Sequence, residues 1–153
     1  MIDAGVGRAA SAIQPVMNVT SLQSYLRELF PDIDEGELAR VVEIAPGRVR
    51  LLLAANPRQL RPGGVVGGPT QMATADAAMY ALVLAHVGKV AMAVTASLTI
   101  HFLRPAVAGD LVAEARLLKL GRRIVTGQVT LWTEEPDRPC AEAMVAYALP
   151  YEG

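Results

Sequence analysis

The 153-residue chain has one cysteine, Cys140, so it can close no internal disulfide and offers no cysteine cluster for a metal. Aromatic residues make up 5% and charged residues 19%, with 14 basic against 15 acidic side chains and a net charge of −1. No basic stripe is available to neutralise a phosphate backbone, which argues against nucleic acid as a partner. A long hydrophobic run is also missing. The longest clean one, Ala77 to Ala85, is closed off by Asp76 and His86, whereas a membrane-spanning helix needs roughly 20 such residues. The first seventeen residues lack a basic start followed by an apolar stretch, so no secretory leader is expected and a soluble, cytoplasmic protein is. No Gly-Lys-Ser/Thr loop, G-x-G-x-x-G or G-x-S-x-G occurs.

Hydrophobic residues, at 52%, are abundant. Between Pro62 and Leu103, forty-two residues, the only charged side chains are Asp76 and Lys89. A chain this apolar buries enough surface to offset its ordering entropy, and its length suits one core. Residues 1–20 show no clear period and read as an N-terminal arm, with a single domain over 21–153.

Leu22, Tyr25, Leu26 and Leu29 recur at helical spacing from Ser21 to Phe30, with Thr20 or Ser21 as N-cap and Pro31 as stop. Leu38–Ile44 and Arg48–Ala54 flank a Pro46-Gly47 turn and form a hairpin with Val49, Leu51 and Leu53 on one face. A Pro- and Gly-rich loop follows, from Asn56 to Gly68. Thr70 to Val87 has no Gly or Pro and is rich in Ala, Met and Leu, which predicts a long helix buried on most sides. In Thr95–Leu103, Ala96, Leu98, Ile100 and Phe102 alternate with Thr95, Ser97, Thr99 and His101, which predicts a strand with two such faces. Leu111–Leu120, Ile124–Glu134 and Ala141–Leu149 are three further strands. One apolar helix within a meander packs by letting an antiparallel sheet curl around it, giving an α+β fold.

Asp76 is the first candidate for chemistry. A carboxylate among apolar helix residues is costly unless it is paired, reaches solvent or is functional. Gly67-Gly68-Pro69 opens the same helix. Glycine there lets a ligand approach backbone N–H groups at the positive end of the helix dipole, as an oxyanion or phosphate would, or it is a plain entry turn. His86 and His101, the only histidines, lack metal-ligand spacing, so no metal site is expected. His86, near a helix end, reads as an imidazolium cap. Cys140 reads as a small packing residue. Arg104, Lys119, Arg122 and Arg123 fall at strand ends and turns, either solvated or gathered around a phosphorylated handle.

The segment GGVVGGPTQMATADAAMYALVLAHVG followed by AVTASLTIHFLRPAVAGDLVAEARLLKLGRR resembles the hotdog-fold acyl-CoA thioesterases, in their phenylacetate-degradation (PaaI-like) branch. The resemblance spans roughly Leu38 to Pro150 and implies a curved antiparallel sheet wrapped around a long central helix. By this resemblance Asp76 is the nucleophile or general base, and the Gly68 N–H polarises the thioester carbonyl. Thr95 helps place the hydrolytic water, and Asn56 matches an Asn or Gln before the glycines. Gly67, Pro69, Met72 and Tyr80 contact the substrate, Met72 and Tyr80 in the acyl pocket, and Arg104, Arg122 and Arg123 hold the coenzyme A phosphates. Coenzyme A is part of the substrate and no separate cofactor is implied. The family pairs chains into dimers, often dimers of dimers, with each active site across the interface. The family's usual His-Gly-Gly reads Gly67-Gly68-Pro69 here, and its Asp-x₄-His hydratase variant is absent because Ala81 occupies the fifth place after Asp76. The expected function is hydrolysis of an acyl-CoA to free acid and coenzyme A; the competing expectations are a non-catalytic acyl-CoA binder or sensor on the same fold, and a purely structural oligomer.

Overall fold

The computed structural model describes residues 13–151, so most of the expected arm lies outside the described residues. Where the description begins, Val16 and Met17 donate backbone hydrogen bonds to Ala85 O at 2.7 and 3.3 Å. Helix α1 spans Val19–Leu29 and is capped earlier than expected, by Asn18. Asn18 Oδ1 accepts from Ser21 N at 2.8 Å while Ser21 Oγ accepts from Asn18 N at 3.0 Å, a reciprocal capping box that satisfies two otherwise orphaned donors. Leu22 and Leu26 are its buried face, and Gln23 Oε1 ties it to strand β1 through Val41 N at 2.7 Å.

Strands β1 (Arg40–Ala45) and β2 (Arg48–Leu53) form the expected hairpin, with Gly47 at φ 72 in its turn. The left-handed backbone there suits glycine as the third residue of a type II turn. The loop that follows is more ordered than its composition suggests. It contains a 3-10 turn at Pro57–Gln59 and a two-residue ribbon of β3 (Leu60–Arg61) and β4 (Val65–Val66). Helix α2 then runs Gly68–Val87 and ends at Gly88. Strands β5 (Val94–Phe102), β6 (Leu111–Leu120), β7 (Ile124–Trp132) and β8 (Ala141–Ala148) complete the chain.

Six strands form one antiparallel sheet in the order β1-β2-β6-β7-β8-β5, and α2 lies against it from β2 across to β5. This is the α+β hotdog arrangement of a sheet around a central helix. The inner face is assembled by period-2 alternation: Val49, Leu51 and Leu53 on β2, Ala113, Ala115 and Leu117 on β6, Val125, Val129 and Leu131 on β7, and Ala143 and Val145 on β8 are all buried. Small residues predominate where the helix comes closest. A Cβ on Gly127 would lie 2.6 Å from Met79 Sδ and 2.9 Å from Arg116 O, so the helix sits where only glycine leaves room.

His86 is not the charged cap expected at a helix end. It is buried, its Nε2 accepts from Gly47 N at 2.9 Å, and its Nδ1 lies 2.9 Å from Leu82 O, the pattern of a neutral ring protonated at Nδ1. Burial holds its pKa below the ordinary value despite hydrogen bonds to backbone at Leu82 and Ala45. The imidazole thus bolts the hairpin turn to the last turn of α2.

The outer face carries a cross-strand polar row: Glu43, Arg50, Glu114, Thr130, Glu142 and His101 are successive partners across all six strands. At its centre Glu114, 2% exposed, accepts from both Arg50 and Arg116.

Candidate active site

Asp76 lies two turns into α2 and is half-buried. Its Oδ1 accepts two hydroxyl hydrogen bonds, from Thr95 Oγ1 at 2.7 Å and from Tyr147 OH at 2.7 Å. Tyr147 OH also lies 3.2 Å from the Asp76 carbonyl oxygen. Thr95 and Tyr147 are cross-strand partners in β5 and β8, so the sheet presents both hydroxyls together.

That placement of Thr95 differs from the alternation read in the sequence. The β5–β8 register shifts between Thr95 and Ser97, leaving Ala96 as the extra residue of a β-bulge. A bulge reverses the facing of residues on its two sides. Thr95 therefore joins Leu98 and Ile100 toward the helix, while Ser97, Thr99 and His101 keep the outer face.

The cluster opens on a cavity of about 800 Å³ beside α2. Its apolar wall includes Leu26 and Phe30, Leu51 and Leu53 of β2, and Ala73 and Ala77 of α2. An apolar chamber with a few convergent polar groups at one place is the usual form of a small-molecule site. Tyr80 lines it as expected, its ring stacked on Tyr147 at 5.8 Å and its hydroxyl donating to Ala91 O at 2.9 Å. Gln59 also lines the cavity, a residue the sequence did not single out.

The helix start behaves as a donor site in part. The N–H of Gly67, the N-cap residue, is consumed by Gln59 O at 3.1 Å, so it is not free for substrate. Gly68, in the first turn, has no hydrogen-bond acceptor for its N–H among the described residues, as expected of a helix N-terminus. Phe102 covers its Cα side: a Cβ there would lie 3.3 Å from the ring. Pro69 is in the first turn. Eight residues of helix put Gly68 roughly 12 Å from Asp76, so one chain does not bring the two together.

Three further sets of expected substrate-contact residues do not line the cavity of one chain. Asn56 caps the 3-10 turn through Arg58 N at 2.9 Å and lines a separate small cleft, because its side chain is needed at the turn start. Met72 is exposed one turn before Asp76 on α2 and does not line the cavity. Arg104 follows the Phe102 end of β5, whereas Arg122 and Arg123 precede Ile124, which registers through Ala148 with the Val94 end. At the rise of a strand these ends are roughly 25 Å apart, so one chain does not gather the three arginines. Arg123 instead stacks over the Tyr151 ring at 4.8 Å.

Cys140 is buried, donates to Leu131 O at 3.4 Å, and burial raises its thiol pKa, which suits packing. Among the described residues no group of three His, Cys, Asp or Glu side chains could hold a metal ion, and no helix is long and apolar enough to cross a membrane.

Residues 63–140 match the thioesterase superfamily. No curated protein matches the chain in sequence. Among solved structures, a Silicibacter sp. TM1040 protein assigned as a thioesterase is 39% identical over 91% of this chain and 96% of its own, with a TM-score of 0.82. A phenylacetic acid degradation-related protein from Ralstonia eutropha JMP134, also assigned as a thioesterase, is 26% identical over 82% of this chain and 98% of its own, TM-score 0.70. A point mutant of the phenylacetic acid degradation protein PaaI from Thermus thermophilus is 25% identical over 76% of this chain and 96% of its own, TM-score 0.65. The chain belongs to the thioesterase superfamily and has its hotdog fold.

Proposed function

We propose that the protein is an acyl-CoA thioesterase that works as a homodimer. The observation that carries this reading is the Asp76 carboxylate, held by two hydroxyls at the mouth of an apolar cavity large enough for an acyl group. In the reaction Asp76 takes a proton from water as the water oxygen bonds to the thioester carbonyl carbon. The resulting oxyanion is stabilised by the Gly68 N–H and the helix dipole behind it, an effect of about 3 kcal/mol per well-placed donor. The C–S bond then breaks, the coenzyme A sulfur receives the proton, and the free acid departs. The variant in which Asp76 itself bonds to the carbonyl, giving a mixed anhydride that water then opens, uses the same groups. Single-turnover hydrolysis in isotope-labelled water identifies the anhydride route when water opens it at the Asp76 carboxyl carbon, since enzyme oxygen then leaves in the product.

The spacing of Gly68 from Asp76 supports the homodimer. Strand β5 is a sheet edge and mostly exposed along its length. Its Phe102 end touches Gly68, and its Thr95 end touches Asp76. Antiparallel self-pairing about the middle of β5 sets one protomer's Phe102 end opposite its partner's Thr95 end. That would place the Gly68 N–H of one protomer near the partner subunit's Asp76, completing a site that neither chain holds alone.

The test is thiol release from a panel of acyl-CoA thioesters, wild type against Asp76→Ala, with light scattering at micromolar concentration. Release by the wild type on at least one substrate and loss in the variant supports the enzyme. No release above the variant on any substrate leaves a non-catalytic acyl-CoA binder. A monomer overturns the composite site, and the same measurement separates a dimer from a dimer of dimers.

A further inference from the structure

Tyr147 ends the apolar inner row of β8, after Ala141, Ala143 and Val145, and is itself only 4% exposed. A phenylalanine would fill the same space. Burying a hydroxyl costs free energy unless it is hydrogen-bonded, and the acceptors this one meets are both on Asp76. The ring has no freedom to wander: Tyr80 stacks on it, and Tyr80 is in turn tied to Ala91 O and packed edge-on by Phe30 at 6.2 Å. On the neighbouring strand the bulge at Ala96 gives up ladder regularity, and its effect is to turn Thr95 to the same oxygen.

We propose that Tyr147 is a positioning residue for Asp76: its hydroxyl, together with that of Thr95, fixes Oδ1 and so commits Oδ2 as the oxygen that meets the water or the thioester. This rests on the hydrolase reading above. No protein donor among the described residues meets Oδ2. The holding groups are neutral, so they orient the carboxylate without cancelling its charge. Thr95 Oγ1 spends its proton on Asp76 and keeps lone pairs to accept from a water beside Oδ2. The carboxylate would thus be pre-set in one rotamer before substrate arrives, which is how small displacements of a reacting group are avoided.

The experiment compares wild type with Tyr147→Phe, which keeps the ring, and Thr95→Val, which keeps the shape. Hydrogen bonds to a charged group are worth roughly 10- to 100-fold, so Tyr147→Phe should lower kcat by at least about tenfold. KM for the acyl-CoA should stay within about twofold. Thr95→Val should lower kcat in the same way, again with KM within about twofold. A rise in KM with kcat unchanged in both variants would overturn the proposal, since loss of orientation acts on the chemical step rather than on binding. A thermal double-mutant cycle of Tyr147→Phe with Asp76→Ala, which removes the acceptor oxygen, needs no turnover. Non-additive shifts in Tm support the contact and additive shifts overturn it, so the proposal is decided even if no acyl-CoA is hydrolysed and the hydrolase reading fails.

Discussion

Two carboxylates sit under opposite faces of the sheet, and they are held in opposite ways. Glu114, on the outer face, has both oxygens occupied by guanidiniums: Arg50 bonds Oε2 at 2.6 and 3.0 Å, and Arg116 bonds Oε1 at 2.7 and 2.9 Å. Arg50 also lies over the Trp132 ring at 5.3 Å. Burial by itself raises the pKa of Glu114, and the two arginines outweigh it and hold the carboxyl below the usual range. Asp76, on the inner face, meets two neutral hydroxyls on one oxygen. A carboxylate with its charge matched and both oxygens engaged is structural; one that is oriented but not neutralised, and that opens on a cavity, is equipped for chemistry.

Removing each carboxylate should therefore do different damage. Asp76→Ala should lower kcat by about 10²- to 10⁴-fold, the range for a general base, with Tm changed by a few degrees at most, as thiol release and calorimetry will show. Thr95→Arg tests the contrast from the other side. A cation on Asp76 recreates the Glu114 arrangement and ties up the carboxylate, so activity should fall by at least about 100-fold. An active Thr95→Arg enzyme would show that charge matching is not what separates the two sites.

Glu114→Gln leaves two arginines facing an uncharged amide. Breaking a buried pair costs about 3 kcal/mol at the lower end of the usual range, fitting here because Arg50 and Arg116 are partly exposed. Urea denaturation reads that loss, and the pH dependence of any acyl-CoA hydrolysis should not move with it. The wild type should lose Glu114's contribution as pH falls below the ordinary carboxylate value and through the depressed folded value, since only the unfolded chain binds the proton early. In Glu114→Gln that acid limb of stability should flatten. The smallest effect belongs to His86, whose folded pKa is also lowered. Its contribution is complete above the ordinary histidine value near 6.5 and declines as pH drops below it. Replacing it should trim the stability curve in that window alone.

Much of this was legible in the chain itself. Pro46-Gly47 marks the hairpin, the Gly- and Pro-free run marks α2, and the alternation of Val49, Leu51 and Leu53 marks the inner face of β2, because these are local rules of turn geometry and side-chain period. Asp76 stood out against its apolar neighbours for a physical reason, the cost of a buried charge. Glu114 has similar neighbours and did not stand out, because Arg50, its main partner, is adjacent only through strand register. Thr95 was placed on the wrong face because a bulge is one residue of backbone geometry and leaves no mark in the alternation of VTASLTIHF. Tyr147 was invisible as a functional residue because its ring satisfies the core pattern, and its hydroxyl gains meaning only from Asp76, 71 positions away. Asn56, Met72 and the three arginines came with the family resemblance, and one chain does not bring them to the cavity.

Strand β5 has no Asp, Glu, Lys or Arg in its nine residues, and its Ala96 bulge is the irregularity that interrupts its edge. Sheet edges are ordinarily guarded by charge, proline or short length. If β5 pairs with itself, the last step of maturation is second order in chain. Recovery of activity after refolding should then slow in proportion to dilution, while the signals of α2 burial return at a rate independent of concentration.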